Sequence, residues 1–286
     1  MKVGYVTIIG KPNVGKSTLM NAIFNKKVSI VTSKAQTTRT NINSVYESED
    51  SQIIFVDTPG IHKPMQKLGT VMNKDSYDAI RGCDVCVYLL DAGHEFNTQD
   101  KYLFSKLKID SPLIIAFNKI DTTNVELIEK LKKEVKEFYP TAEIIEISAL
   151  EKFNIDFLLE KIKSHLPEGE KVIFTPSTDI SFNIAEVIRE RALSCLEEEV
   201  PHSIYVRVDN LSLNGKMYDA KVSLFVEKDS QKGIVIGKNG AMIKRIGSAA
   251  RKELEKIYHT HFNISLFVKV DPDWRNNDKV ISRFAL

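Results

Sequence analysis

The chain has 286 residues, enough for two ordinary cores, and its 43% hydrophobic and 27% charged residues exclude a disordered chain. Lys plus Arg number 40 against 38 Asp plus Glu, so a net charge of +2 excludes any case for a nucleic-acid partner from overall charge; such a case must rest on local clustering. The longest apolar runs, Val85–Leu90 and Pro112–Phe117, are far below the ~20 residues a spanning helix needs, which excludes an integral membrane protein of the helical kind.

Cys83, Cys86 and Cys195 are an odd count with no signal-peptide pattern before them, which fits a reducing cytoplasm. Cys83 and Cys86 have CxxC spacing, open to a redox or zinc reading. They introduce an apolar run and have no second Cys pair, so a buried strand is the expectation. The histidines are scattered, with only His259 and His261 close together, and a metal cluster is not expected.

In chain order, strands are predicted at 3–9, 42–48, 52–57, 84–90, 112–117 and 143–147, and helices near 16–25, 66–80, 98–107, 124–138 and 154–165. That alternation is the pattern of an α/β domain, a doubly wound, mostly parallel sheet with helices on both faces, over residues 1–168. A polar, proline-broken stretch at 169–178 reads as a linker. Residues 179–286 then read as a smaller α+β domain: helix 180–198, strands 203–213 and 217–227, helices 232–236 and 241–257, and strand 262–270. Asn214-Gly215 supplies a hairpin turn, since both residues tolerate positive φ.

Four motifs carry chemistry in the first domain. Gly10-Lys11-Pro12-Asn13-Val14-Gly15-Lys16-Ser17 fits G-x-x-x-x-G-K-[ST] between a strand and a helix, so its backbone N–H groups would cradle phosphates while Lys16 reaches the β/γ-phosphates and Ser17 ligates Mg²⁺. Asp57-Thr58-Pro59-Gly60 ends a strand beside that loop; Asp57 would hold Mg²⁺ and the Gly60 N–H would sense the γ-phosphate. Asn118-Lys119-Ile120-Asp121 also follows a strand, and Asp121 would accept from guanine N1–H and the exocyclic amine, a donor pair adenine lacks. Ser148-Ala149-Leu150 stands where a backbone N–H would meet guanine O6. In the polar loop after the first helix, Thr38, with Thr37 as the alternative, is the candidate hydroxyl that joins Mg²⁺ when a γ-phosphate is present. Lys16, Thr38 and Gly60 are therefore the candidate catalytic groups, and Ser17, Thr38 and Asp57 the candidate Mg²⁺ ligands.

In this order and spacing the motifs resemble a Ras-superfamily G domain of the TrmE–Era branch. Ile61 stands where Ras-type enzymes carry a water-orienting glutamine, and it has no polar atom, so slow intrinsic turnover is expected. The resemblance also implies that Asn13 can ligate a K⁺ ion beside the phosphates.

Within 232–252 lie Lys232, Lys238, Lys244, Arg245, Arg251 and Lys252 and no acidic residue. At the centre, Gly237-Lys238-Asn239-Gly240 is a G-x-x-G loop between two helices, and with the α-β-β-α-α-β order it resembles a type II KH domain. Such domains seat about four nucleotides of single-stranded RNA beside the loop. Ile234, Val235 and Ile236 would floor the groove, and Gly237, Lys238, Asn239, Gly240, Lys244 and Arg245 would meet the backbone. The combined resemblance, over about 3–283, implies binding near the 3′ end of 16S rRNA, a role in 30S ribosomal subunit assembly, a cytoplasmic monomer and peripheral association with the inner membrane. An RNA-binding scaffold with a structural nucleotide and negligible turnover is the rival reading, and the role of the tail from Asp271 onward stays open.

Overall fold

The computed structural model describes residues 1–25, 39, 42–62, 64, 66–173, 179–197 and 199–282, and among them the chain divides into two compact units. Thr37 and Thr38 lie outside the described residues.

The first unit is a six-stranded sheet in the order β2-β3-β1-β4-β5-β6. Its strands are β1 (Lys2–Ile9), β2 (Ile42–Glu47), β3 (Ser51–Asp57), β4 (Val85–Asp91), β5 (Leu113–Asn118) and β6 (Glu143–Glu146). All neighbours pair in parallel except β2 with β3. Helices α1 (Lys16–Phe24), α2 (Lys67–Arg81), α3 (Thr98–Lys106), α4 (Val125–Phe138) and α5 (Ile155–His165) cover it.

The period of two along β4 explains why its run is apolar throughout. Val85, Val87 and Leu89 join one core layer with residues of α1 and α5, while Cys86, Tyr88 and Leu90 join the opposite layer with residues of α2, α3 and α4. Cys86 is thus a core residue and Cys83 is half-buried, its Sγ donating to Ile80 O at 3.1 Å. Among the described residues there is no cluster of three or more His, Cys, Asp or Glu able to hold a metal.

The start of the expected linker is a strap on this unit. Val3 N–H donates to Pro167 O (3.1 Å) and Gly169 N–H to Met1 O (3.0 Å), and Gln52 pairs with both the N–H (2.8 Å) and C=O (3.0 Å) of Val172. On the strap's side every one of these bonds is made by a backbone group, so its side-chain pattern did not announce them.

The second unit holds α6 (Ile180–Cys195), β7 (Tyr205–Asn214), β8 (Met217–Val226), α7 (Asp229–Ile236), α8 (Ala241–Tyr258), β9 (His261–Val270) and a closing α9 (Asp278–Ile281). β7 pairs antiparallel with β8, and β8 parallel with β9. Ile246, Ala250 and Leu254 recur every four residues on α8 and are buried, which leaves Lys244, Arg245, Arg251 and Lys252 exposed. The tail is structural: Trp274 is fully buried, donates Nε1–H to Ser203 O at 2.9 Å and packs on Tyr205, whose hydroxyl donates to Asp271 at 2.6 Å. No helix among the described residues is long and apolar enough to cross a membrane.

Candidate nucleotide site and nucleic-acid interface

Strand order places β1 between β3 and β4, where an open α/β sheet leaves a crevice at its carboxyl edge. Register gathers the motifs there: Ile8 pairs with Asp57, and Asp91 with Asn118.

The loop from Gly10 to Gly15 bends through positive φ at Gly10 (150°), Asn13 (66°) and Gly15 (100°). At Gly15 a side chain is excluded by contact as well as by φ, because a Cβ would stand 2.3 Å from Asn118 Nδ2. The buried Lys16 donates to Gly10 O (3.1 Å) and Lys11 O (2.9 Å). Burial lowers its pKa to about 8, with Asp57 opposing the shift, so an approaching phosphate would favour the charged form. Lys11 is not aimed at ligand alone, since its Nζ lies 2.6 Å from Asp100, which also closes the capping box of α3 with Asn97.

Ser17 at the start of α1 and Asp57 at the end of β3 are both buried. One hydroxyl and one carboxylate are hard oxygen donors, the set that Mg²⁺ takes together with phosphate and water oxygens, so the residues fit that ion. Thr58 Oγ1 donates to Ile8 O (2.8 Å) and Ile61 N–H to Gly10 O (3.1 Å), which fixes the Asp57–Gly60 turn against the phosphate loop. The Ile61 side chain is 1% exposed and packs in the α2/α3-side core. Ile61 thus meets the phosphate loop through its backbone, while its apolar side chain is stabilised by burial.

Asn118 Nδ2 donates to Val14 O at 2.8 Å, and its Oδ1 accepts from Ala149 N–H at 2.9 Å. Lys119 Nζ donates to Asn13 O (2.9 Å) and to Asp91 Oδ2 (2.6 Å). Asp121, beside Ile120 in the 3-10 turn Ile120–Thr122, is exposed. Ser148 N–H donates to Phe153 O at 3.2 Å, so both amides of Ser148 and Ala149 already have partners inside the protein. Leu150, the third residue of that loop, is 72% exposed. Asp91 and Asp100 were missed in the sequence. The available signal for Asp91 was its place at the end of an apolar strand, as for Asp57.

In the second unit, the loop between α7 and α8 has φ of 71° at Gly237, 52° at Asn239 and 75° at Gly240. Lys238 and Asn239 at its tip are exposed. Ile234 is exposed and Ile236 half-buried, but Val235 is fully buried in the core. Val235 is therefore withdrawn from the expected groove floor, since successive helical residues point about 100° apart. Both α7 and α8 pack on β9, the edge strand, whose Ile264 and Leu266 are half-buried. Those two residues were not anticipated from the sequence.

The family described as 50S ribosome-binding GTPase matches residues 5–119, and the KH domain family matches residues 199–275. GTPase Era of Clostridium perfringens (strain ATCC 13124) is 44% identical, with 99% of this chain and 98% of that protein covered. GTPase Era of Alkaliphilus metalliredigens is 42% identical, with 98% and 97% covered. A variant of Aquifex aeolicus Era bound to GDP·AlF4⁻ superposes with a TM-score of 0.94 at 37% identity, and Era in complex with MgGDPNP and nucleotides 1506–1542 of 16S ribosomal RNA with 0.95 at 36%, all chains fully covered. With the phosphate loop and the KH fold in one chain, this protein belongs to the GTPase Era family, a P-loop GTPase domain followed by a KH domain.

Proposed function

We propose that the chain is a GTP-hydrolysing switch whose KH loop takes single-stranded RNA near the 3′ end of 16S rRNA, and that it acts in 30S subunit assembly. The observation that carries this reading is the double tie from the base-reading segment to the phosphate loop, Asn118 to Val14 and Lys119 to Asn13. It joins recognition of guanine to the placement of the phosphates. The RNA bound in the related Era structure supports the second half.

In this reading Lys16 meets the β/γ-phosphates, Gly60 N–H the γ-phosphate, and Asp121 the guanine N1–H and amine, with Thr38 or Thr37 closing when GTP is present. The loop 10–15 wraps the phosphates, with Gly10, Lys11, Asn13, Val14 and Gly15 offering backbone N–H groups and Pro12, which has none, shaping the turn. Ser17, Asp57 and Thr38 would hold Mg²⁺, which when bound neutralises charge on the phosphates. Asn13 would add a K⁺ ligand. A cytoplasmic monomer with peripheral membrane association completes the proposal.

Single-turnover hydrolysis of labelled GTP, with and without an RNA matching the 3′ end of 16S rRNA, tests it. Basal turnover on the order of 10⁻⁴ s⁻¹, the scale of an unassisted switch GTPase, with stimulation by that RNA is expected. No release of phosphate above buffer, or the same response to an unrelated RNA, would overturn it.

A further inference from the structure

Glycine at position 60 leaves two unrestricted backbone torsions at the point where an N–H must be aimed. Fixing one residue costs about 1–2 kcal/mol of entropy, so something must hold it before GTP arrives. The peptide unit before Gly60 is held at Pro59 O, which accepts from Ser76 Oγ of α2 at 3.0 Å. The unit after it is held at both ends: Ile61 N–H donates to Gly10 O at 3.1 Å, and Gly60 O lies 2.8 Å from Nδ1 of His62. A carbonyl oxygen only accepts, so Nδ1 carries the proton.

His62 is itself seated by α2. Its N–H donates to Asn73 Oδ1 (3.3 Å) and its C=O accepts from Asn73 Nδ2 (2.6 Å). Its ring abuts Gly69, where a Cβ would stand 3.1 Å from Nε2. The imidazole therefore occupies space that any other residue at 69 would contest.

We propose that His62 is a positioning residue for GTP hydrolysis, which together with Ser76 fixes the peptide planes flanking Gly60 and so aims the Gly60 N–H at the γ-phosphate. The inference rests on the reading that Gly60 senses the γ-phosphate. It also supplies a polar function next to Ile61, acting on the backbone rather than on the attacking water.

The test uses the full-length protein with His62→Phe, which keeps a ring but loses the donor, and His62→Asn, whose amide N–H stands near the place of Nδ1–H. GTP and GDP affinities are measured alongside single-turnover hydrolysis. For His62→Phe, GDP affinity is expected to hold while GTP affinity or the hydrolysis rate falls about tenfold, the ~1.4 kcal/mol of one hydrogen bond, and His62→Asn is expected to restore most of the loss. Gly69→Ala should lower the rate in the His62 protein by displacing the ring, yet be neutral in the His62→Asn background, where no ring reaches it. Since Ala is the better helix former, that loss would not reflect unfolding.

Equal loss of GTP and GDP in His62→Phe, unchanged GTP binding and rate, or no rescue by Asn would each overturn the inference. A wild-type protein that neither hydrolyses GTP nor distinguishes it from GDP would instead overturn the reading of Gly60, and that is seen before any variant is made.

Discussion

Asn118 and Val14 are 104 residues apart in sequence, and a 2.8 Å bond from the Asn118 amide to the Val14 carbonyl locks the segment 118–121 to the phosphate loop. The same amide's oxygen accepts from Ala149. Replacing Asn118 by Ala frees three segments at once without touching a phosphate. GTP and GDP should therefore weaken together, by about 10–100-fold if two buried hydrogen bonds are lost. Titration with fluorescent GTP and GDP analogues checks this; a loss confined to GTP would mean that Asn118 acts on the γ-phosphate side instead.

Asp121 lies three residues on, exposed at a 3-10 turn. Asp121→Asn turns one acceptor oxygen into a donor, so guanine's two donors can no longer both be met. Xanthosine triphosphate, with a carbonyl in place of the amine, should gain in affinity over GTP. Competition between the two nucleotides measures the switch, and retained guanine preference would place base recognition elsewhere.

Asn13 is exposed at a φ of 66°, with its carbonyl held by Lys119 at 2.9 Å. Its side chain stands on the loop that would carry the phosphates, where a monovalent cation would supply positive charge that no side chain of the loop other than Lys11 and Lys16 provides. Hydrolysis should run faster in K⁺ than in Na⁺ at matched ionic strength, and Asn13→Ala should erase the difference. Equal rates in the two salts for the unmodified protein would sink the idea.

Cys83 separates two readings of the CxxC spacing by its acidity. Hydrogen bonding from Cys86, opposed by burial and aided by Ser111 and Thr7, brings its thiol from 9.0 down to about 6, while Cys86 is pushed well up. A thiol whose folded pKa is depressed contributes stability that is full above its unfolded pKa and lost as pH falls through the folded one. The stability gap between wild type and Cys83→Ala should therefore widen from about pH 6 to about pH 9. Alkylation of Cys83, followed by peptide mass spectrometry, should reach half its limiting rate near pH 6 while Cys86 stays unlabelled; a midpoint near 9 would refute the shift.

The strands were legible because each apolar run has a bounded length, and the sheet's two-sided burial makes β4 and β5 apolar throughout. The motifs were legible because each is a run of consecutive residues at the end of a strand. What joins them was not. The ion pairs Lys11–Asp100 and Lys119–Asp91 link distant elements and leave no spacing to detect. Ile61 entered the expected contacts through its position beside Gly60, although its chemistry belongs to the core. Trp274, the only tryptophan, closes the second unit through a bond to Ser203, 71 residues away, which periodicity does not register.

The KH loop can be tested apart from the nucleotide site. Lys238 and Asn239 are exposed between Gly237 and Gly240, and the left-handed φ of 52° at Asn239 is one that Asp, like Asn, tolerates. Changing both to Asp keeps the glycines and the buried Val235 and Ile246, so the second unit should stay folded. It places two carboxylates where RNA phosphates are proposed to lie, turning attraction into repulsion. RNA affinity should fall by at least about tenfold, ~1.4 kcal/mol, and lose part of its salt dependence as phosphate contacts disappear. Because these residues take no part in the bonds that hold the phosphate loop, GTP affinity and hydrolysis without RNA should be unchanged. Stimulation of hydrolysis by RNA should vanish at RNA concentrations that saturate the wild type, since coupling requires the bound effector. Undiminished RNA affinity in a folded double variant would mean that the loop is an ordinary helix connection and that Lys244, Arg245, Arg251 and Lys252 form only a solvated face.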